Sequence, residues 1–308
     1  MIKRLIPASI LLTLVLAPAF RAGQQRQLDV PYVPTKYPVV DEMLKMADIQ
    51  KSDLVYDLGC GDGRLVIGAA QKYGARGIGY DIDPERIKES LENAQKAGVA
   101  NLVKFYEQDL FTADFHEASV MTLYLLTSVN LKLRPKMLKE LKPGTRIVSH
   151  NFGMGEWRPD QSSTVMIDDI SHEVYLWIIP ANVSGTWAWT AGKPEVKGEM
   201  DVQQVFQQIT PTFKIDGRAA AAREVSLKGD HLRFVLDLPL RGGTAPAAFE
   251  AKVGGQSLTG TVTLQDGGRD VVWEWKAQRR PGTQKPIDSD ADKYGPRFGL
   301  KAPAKIIY

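Results

Sequence analysis

Short apolar runs alternate with stretches of helical periodicity between residues 35 and 180. The apolar residues between Val39 and Ala47 recur at the spacing of one helix face, which predicts an opening helix. The apolar run DLVYDL at 53–58 predicts a buried strand, and residues 63–73 again have helical spacing. Because strands that alternate with helices are typical of a parallel sheet covered on both faces, we predict an α/β, Rossmann-like fold for this region.

The same alternation continues to residue 180. The further predicted elements are strand 75–82, helix 83–98, strand 101–108, strand 118–126, helix 128–141, strand 145–150 and a closing pair of strands at 163–170 and 172–180. Helix 83–98 has well-marked limits, because Asp83 is a preferred N-cap, Pro84 fits the first helical position and Gly98 is a common C-terminal residue.

The pattern changes after Ala181. Polar and apolar residues alternate from 182 to 280, with Gly or Asp-Gly breaks, as they do in antiparallel sheets. We expect seven or eight short strands that form a small all-β barrel or sandwich as a second domain. Residues 281–308 are rich in Pro, Lys and Asp, and we expect an extended tail there.

Residues 1–26 have the pattern of a secretory leader. Two basic residues precede an apolar run from Leu5 to Phe20, and small residues near its end offer cleavage sites. The run is shorter than the about 20 apolar residues of a membrane-spanning helix. We therefore predict a signal peptide or membrane anchor, and a cell-envelope protein that is exported or anchored through residues 1–22. The alternative is a translated leader before the true start of a cytoplasmic protein.

Composition narrows the classes of function. The 308 residues are 44% hydrophobic and 24% charged, as in ordinary globular proteins. The formal net charge of +3 is too small to indicate a nucleic-acid partner. A single cysteine, Cys60, excludes an intramolecular disulfide and a paired-cysteine zinc site, and the four histidines are too far apart in sequence to predict a metal cluster.

The stretch VYDLGCGDGR at 55–64 joins a predicted strand to a predicted helix. Its three glycines are Gly59, Gly61 and Gly63. Glycines here permit a tight turn and let a ligand approach the backbone, beside Cys60. A dinucleotide loop would have a further glycine at position 64, where this chain has an arginine. Asp57, at the end of the strand, would repel a pyrophosphate, whereas it can bind the α-ammonium group of S-adenosylmethionine through the loop or a water.

Two further carboxylates follow the next two strands. Asp81 ends the second strand, where a carboxylate can accept hydrogen bonds from both ribose hydroxyls. Asp109 follows the third strand and can accept from the exocyclic amine of adenine, while Ile82 and Leu110 flank the ring. Open α/β sheets bind ligands at the carboxyl ends of their strands, so these residues and the glycine loop predict a site for S-adenosylmethionine. The alternative is a doubly wound fold that binds another nucleoside or no ligand.

Residues 27–181 resemble the class I S-adenosylmethionine-dependent methyltransferases. The motifs PYVPT at 31–35, VYDLGCGDGR, GIGYDIDP and LRPKMLKELKPGTRIVSHNFGMGEW are similar to a bacterial group related to the mitochondrial lysine methyltransferases that act on the ATP-synthase c-subunit and on the adenine nucleotide translocase, which have a Dot1-like core. The resemblance implies a methyltransferase domain over 27–181, methyl transfer as the activity, and a protein lysine as the favoured acceptor. It covers about half of the chain, and the β domain at 182–280 lies outside it.

Several other acceptors are excluded by missing residues. Cytosine-C5 methylation needs a cysteine nucleophile, and the one cysteine lies inside the cofactor loop. The N-P-P-Y enzymes carry that tetrapeptide after strand four, where this chain reads Leu123-Tyr124-Leu125-Leu126. Metal-assisted catechol methylation needs a cluster of carboxylates and an Asp-Asn pair that this sequence does not have.

What remains is a simple in-line transfer, and for a lysine acceptor the amine must first be neutral. Burial and the sulfonium charge both lower the pKa of a lysine amine, so no strong general base is required. We predict an acceptor pocket lined by Tyr32, Thr35, Tyr124, His150 and Asn151. All but Thr35 are the candidate catalytic residues, and Thr35 is grouped with the cofactor-binding residues. Two of these residues have an alternative role outside the acceptor pocket. Tyr124 would then be a core residue, and His150 a hydrogen-bonded residue at the end of a strand.

Two alternative functions stay open. One is a methyltransferase that acts on a small molecule or lipid, and the other is a non-catalytic envelope protein that uses the fold for binding or scaffolding. The intact Asp57, Gly59, Gly61 and Asp81 favour an enzyme, whereas a leader-like N-terminus favours the scaffold, because S-adenosylmethionine is made in the cytoplasm. We expect a protein substrate as partner, no nucleic acid, and membrane association through the N-terminus.

Overall fold

The structure is a computed structural model that describes residues 32–192, 195–240 and 243–287. The predicted leader at 1–26 and residues 288–308 of the predicted tail lie outside the described residues. Among the helices of the described ranges, none combines the length and the apolar character needed to cross a membrane.

The first half of the chain folds into a seven-stranded sheet with four helices. Its elements are α1 (Tyr37–Met46), β1 (Leu54–Leu58), α2 (Arg64–Tyr73), β2 (Arg76–Asp81), α3 (Pro84–Lys96), β3 (Val103–Glu107), β4 (Val120–Leu123), α4 (Thr127–Glu140), β5 (Arg146–His150), β6 (Gln161–Ile167) and β7 (Ile170–Ile178). The strand order is β3-β2-β1-β4-β5-β7-β6, with β1 to β5 parallel and the closing pair antiparallel. The predicted α/β, Rossmann-like fold is therefore confirmed, with each predicted strand and helix present within a few residues of its expected limits.

The helix limits follow from local chemistry. Asp83 caps α3 by accepting a hydrogen bond from the backbone N–H of Glu85, and Pro84 occupies the first helical position, as predicted. Helices α1, α2 and α3 bury their apolar faces against one face of the sheet, whereas α4 packs on the other face. Helices thus lie on both faces, in unequal numbers.

The face that carries α4 is completed by parts of the chain that are not helical. The connection from β5 to β6, residues 151–160, contains no helix. Trp157 of this connection and Trp177 of β7 are nevertheless fully buried, partly because Phe206 from the second half of the chain stacks on Trp157 with ring centroids 5.5 Å apart. A residue of the β region therefore completes the core of the seven-stranded sheet.

The second half folds into one antiparallel sheet of nine strands within the described residues. They are β8 (Gly185–Ala191), β9 (Val196–Val205), β10 (Gln208–Ile215), β11 (Arg218–Ala220), β12 (Arg223–Lys228), β13 (His231–Leu240), β14 (Gly243–Gly254), β15 (Ser257–Asp266) and β16 (Arg269–Arg279). The sheet is an up-and-down meander in which the last strand also pairs with the first. The one break in the ring lies between β11 and β12, which only two residues separate in sequence.

The sheet is thus a curled half-barrel rather than a sandwich. Several strands are ten to twelve residues long, against the expected seven or eight short ones. Aromatic rings fill its interior, where Phe234 and Phe249 stack and Trp275 meets both edge-on. Residues 281–287 run beside the start of this sheet, and the carbonyl of Lys285 accepts hydrogen bonds from the side chains of Asn182 and Ser184.

Candidate active site

A cleft lies at the carboxyl ends of β1, β2 and β4, beneath residues 32–36, a segment we call the strap. About 930 Å³ of space lies within it, a figure that includes open solvent. Its lining residues are Tyr32, Val33, Pro34, Thr35, Asp57, Gly59, Cys60, Gly61, Asp62, Arg64, Leu65, Tyr80, Asp81, Ile82, Asp83, Arg86, Gln108, Asp109, Leu110, Tyr124 and Leu125.

The glycine loop owes its shape to left-handed backbone conformations. Gly59, Gly61 and Gly63 have φ of +77°, +53° and +80°, a region that other residues enter at a cost. The backbone N–H groups of Gly59 and Cys60 both donate to the carbonyl of Tyr80, at 2.8 and 2.9 Å. The loop is thereby attached to β2 and exposes its backbone to the cleft.

The strap lies directly on this loop. A Cβ atom at Gly61 would come within 2.5 Å of the Tyr32 ring, so only glycine permits this contact. The guanidinium of Arg86 lies 4.6 Å from the centre of the same ring, as a cation–π contact. Tyr32 is therefore held between the glycine loop and α3, at the mouth of the cleft.

Asp57 is the buried carboxylate of the site. Its exposed fraction is 2%, and it accepts a hydrogen bond of 2.7 Å from the hydroxyl of Thr122. Burial raises the pKa of Asp57 to about 7, against the opposing effect of the Thr122 hydrogen bond. A cationic ligand group near Asp57 would reverse this rise, because an opposite charge favours the carboxylate.

The other two predicted carboxylates also face the cleft. Asp81 accepts from the backbone N–H of Gly61 at 2.8 Å and from that of Asp83 at 3.0 Å, so it both shapes the loop and faces the ligand space. Asp109 accepts from the backbone N–H of Phe111 at 2.8 Å. The structure brings all of the predicted cofactor-binding residues to the cleft wall; their individual roles stay predictions.

The strap is also bonded to the cofactor loop through Arg64. This residue pairs with Asp62 at 2.6 Å, and it donates to the carbonyl of Thr35 at 2.6 Å. The sequence analysis did not predict that Arg64 and Asp62 line the cleft. Tyr80 and Leu125 were also missed, although each is next in sequence to a predicted residue, Asp81 and Tyr124, which was the available signal.

Cys60 lines the cleft wall without the properties of a nucleophile. Its exposed fraction is 4%, and burial, reinforced by the charge of Asp57, raises the pKa of its thiol well above the ordinary value. The thiol is therefore neutral at physiological pH, in agreement with its exclusion as a nucleophile.

Of the five residues predicted for the acceptor pocket, Tyr32, Thr35 and Tyr124 lie on the cleft wall, and the other two do not. His150 lies beneath the wall with an exposed fraction of 1%, and its ring stacks on Tyr124 with centroids 3.9 Å apart. Burial, followed by the nearby His172, lowers the pKa of His150 to about 3. The prediction that His150 lines the pocket is wrong, because the strap and Tyr124 cover the end of β5.

Asn151 is the second correction. Its φ is +60°, its backbone N–H donates to the carbonyl of Glu173 at 2.7 Å, and its side-chain oxygen accepts from the N–H of Glu173 at 2.8 Å. These two bonds attach the end of β5 to β7, so Asn151 faces β7 and does not line the cleft.

Comparison with known proteins shows which protein family this chain is similar to. Residues 57–161 match the ANTKMT methyltransferase domain. The chain is 46% identical over 151 residues to a protein-lysine N-methyltransferase of Saccharolobus islandicus, a match that spans 49% of this chain and 94% of that protein. It is 30% identical over 166 residues to the human lysine N-methyltransferase of the ATP-synthase c-subunit, across 54% of this chain and 70% of the human protein.

A solved structure is also similar over about half of the chain. It is an RNA methyltransferase from Salinibacter ruber in complex with S-adenosyl-L-homocysteine, 54% identical, with a TM-score of 0.46 over 49% of this chain and 96% of that one. Because this chain spans most of two curated lysine methyltransferases at 30% identity or more, it belongs to the ANTKMT-type family of S-adenosylmethionine-dependent methyltransferases.

Proposed function

We propose that this protein transfers the methyl group of S-adenosylmethionine to the side-chain amine of a lysine in a protein. The observation that carries the proposal is the 46% identity to an archaeal protein-lysine N-methyltransferase over 94% of that protein. The family match at residues 57–161 includes every cleft-lining residue except those of the strap, so the family segment is the one that would hold the cofactor.

The residues of the cleft fit this cofactor. Five carboxylates and two arginines line it, so the wall favours a ligand that carries positive charge. Gly59 and Gly61 of the glycine loop line the cleft without side chains, so a ligand can approach the loop backbone closely. In the proposed arrangement, Asp57 receives the ammonium group, Asp81 the ribose hydroxyls and Asp109 the adenine amine.

When bound, S-adenosylmethionine supplies a methyl group on a sulfonium, a good leaving group that an amine displaces in line. The protein has to orient the amine and exclude water. Tyr32 and Tyr124 line the cleft with aromatic rings. The electron-rich face of such a ring attracts a cationic or partly charged amine. His150 beneath Tyr124 is neutral, so it adds no positive charge behind that ring.

The experiment is a methylation assay with the full chain. Purified protein is incubated with isotope-labelled S-adenosylmethionine and a protein extract of its own cells, and mass spectrometry locates the labelled residue. Total RNA and a lipid extract of the same cells are the comparison acceptors. Label on lysine is the expected result, whereas label confined to lipid, a small molecule or RNA would overturn the lysine proposal and keep the methyltransferase.

Asp81→Asn is the inactive control. The substitution keeps the size of the side chain and removes the negative charge that accepts from the Gly61 N–H and, in the proposed arrangement, from the ribose hydroxyls. We expect at least a tenfold loss of cofactor affinity by calorimetry, since hydrogen bonds to charged groups contribute about 1.5–3 kcal/mol. Asp270→Asn in the hairpin between β15 and β16 is the matched control that keeps full affinity.

We further propose that residues 1–22 direct the protein to the cell envelope, by export or as an anchor. The support is the basic, apolar and small-residue pattern of that segment. A reporter active only in the periplasm, fused after Tyr308, tests the side of the membrane: activity indicates export, and activity of a cytoplasmic reporter alone contradicts it.

A further inference from the structure

Two neighbouring histidines, the buried His150 and the partly buried His172, extend from the cleft wall into the sheet. The hydroxyl of Thr35 lies 3.2 Å from Nδ1 of His150, and Nε2 of His150 lies 3.0 Å from Nδ1 of His172. These residues come from the strap, β5 and β7, which are far apart in sequence. The three side chains therefore form one hydrogen-bonded chain across the acceptor side of the sheet.

His150 is fixed from three directions. Both ring nitrogens have partners, and one ring face stacks on Tyr124. A side chain with this many constraints has one orientation, and Tyr124 on the cleft wall rests on it. Because both nitrogens are occupied within the protein, His150 has no free lone pair with which to take a proton from an acceptor in the cleft.

Thr35 connects this chain to the cofactor loop. Its carbonyl accepts from Arg64, which is paired with Asp62 next to the glycines. The strap is thus held on one side by the histidines and on the other by the loop that contacts the cofactor. A shift of His150 would move both Thr35 and Tyr124.

His172 has one ring nitrogen that is hydrogen-bonded and one that is unpaired among the described residues. Its Nε2 atom is buried and has no hydrogen-bond partner among the described residues. An unpaired buried polar atom costs free energy that an apolar side chain at this place would not. An apolar side chain would, however, lack the hydrogen bond that Nδ1 of His172 makes with Nε2 of His150.

We propose that His172 and His150 are positioning residues that hold Tyr124 and the strap at the methyl-transfer end of the cleft. Neither acts as the general base. The proposal rests on the proposed methyltransferase function for its kinetic consequence, while the positioning itself is a property of the free protein. His172→Leu removes the nitrogen at Nδ1, and His172→Asn restores a polar atom at nearly the same place.

The first test needs no acceptor. In protein with labelled tyrosine rings, the Tyr124 signal is assigned with Tyr124→Phe and followed by NMR. We expect His172→Leu to shift the Tyr124 signal and His172→Asn to restore it. His231→Leu, at an exposed histidine of β13, is the matched control and leaves it unchanged. An unchanged Tyr124 signal in folded His172→Leu overturns the proposal, whatever the acceptor is.

The second test is kinetic and uses the acceptor protein found by the lysine assay. We expect His172→Leu to lower kcat about 10- to 100-fold, the order of loss that follows a misplacement of about 1 Å. The affinity for S-adenosyl-L-homocysteine should change less than about threefold, and His172→Asn should recover most of kcat. The acidic limb of the kcat profile should keep its midpoint in His172→Leu and in His150→Gln. If the acidic limb of the kcat profile disappears in His150→Gln, His150 is a base and the proposal is refuted. Failure of the labelling assay to modify any lysine refutes only the proposed acceptor.

Discussion

At the residue scale, Asp57 determines how the cleft responds to pH. The sequence places an acid at the end of a buried strand, and the fold then removes it from water, which makes the charged form costly. The carboxylate is retained in spite of this cost, which is expected of a group whose charge is needed when a ligand binds.

We predict that cofactor affinity falls as the pH drops below about 7. In the free protein the Asp57 carboxyl titrates near this value, whereas a bound ammonium group requires the carboxylate, so binding releases a proton. Below the pKa, affinity should fall by up to about tenfold per pH unit, since one pKa unit corresponds to about 1.4 kcal/mol. Calorimetry between pH 5.5 and 8.5, in two buffers of different ionisation enthalpy, measures both affinity and proton release.

The control for this prediction is Asp57→Asn, which should bind weakly and with little pH dependence. The raised pKa has an opposite effect on folding: the folded state holds a proton that the unfolded state loses near pH 4, so this group lowers stability as the pH rises from about 4 to 7. Affinity of the parent protein that is constant from pH 5.5 to 8.5 would contradict the assignment of Asp57.

At the element scale, the glycine loop and the strap form one unit. The loop turns through left-handed conformations, and the strap ring at Tyr32 fills the space that a side chain at Gly61 would occupy. Alternating glycines in the sequence indicate the turn, but not which other segment packs on it.

We predict that Gly61→Ala lowers cofactor affinity by at least tenfold. The new methyl group would lie 2.5 Å from the Tyr32 ring, so the strap must move away from the loop, and φ of +53° adds strain. Titration with S-adenosylmethionine measures the loss. Gly98→Ala is the matched control: its φ is +71°, with open space around the new Cβ, so it should cost about 1–2 kcal/mol of stability and leave affinity unchanged. Equal affinities for the two variants would show that the strap does not shape the site.

At the scale of the whole molecule, the half-barrel contributes Phe206 to the core of the seven-stranded sheet. The turn between β9 and β10 inserts Phe206 against Trp157, and the guanidinium of Arg134 lies 5.1 Å from the Phe206 ring. Gln207 of the same turn accepts from the indole N–H of Trp157 and donates to the carbonyl of Arg158. These contacts occupy the face of the sheet that has no helix after β5.

We predict that Phe206→Ala destabilises the methyltransferase half by about 3–5 kcal/mol, the usual cost of removing a buried phenylalanine. Urea unfolding, followed both by tryptophan fluorescence and by loss of cofactor binding, should show the midpoint of the binding signal falling. Phe206 has φ of +53°, a conformation that costs a non-glycine residue about 1–3 kcal/mol.

Phe206→Gly is therefore the more informative second variant, because it relieves the turn while it removes the ring. If it is also less stable than the parent, packing against Trp157 outweighs the strain. A parent-like midpoint for cofactor binding in both variants would show that the β region is a separable module.

Much of this protein followed from local pattern. The order of strands and helices, the cap at Asp83 and the carboxylates at three strand ends are encoded within a few residues of sequence, since propensity, capping and periodicity are local. The ligand edge of a parallel sheet follows from those elements alone, which is why Asp57, Asp81 and Asp109 could be placed together in advance.

Tertiary structure decided what depended on contacts between distant segments. His150 was predicted to line the pocket, yet Thr35 and Tyr124 cover it, and its partner His172 lies on a strand that pairs antiparallel to its own. The position of Phe206 in the core of the seven-stranded sheet could not be predicted either, because sequence periodicity does not indicate which surface a turn packs against. Sequence determined each element and the edge that binds the ligand. Only packing across long sequence separations decided which side chains reach the cleft and which support it from behind.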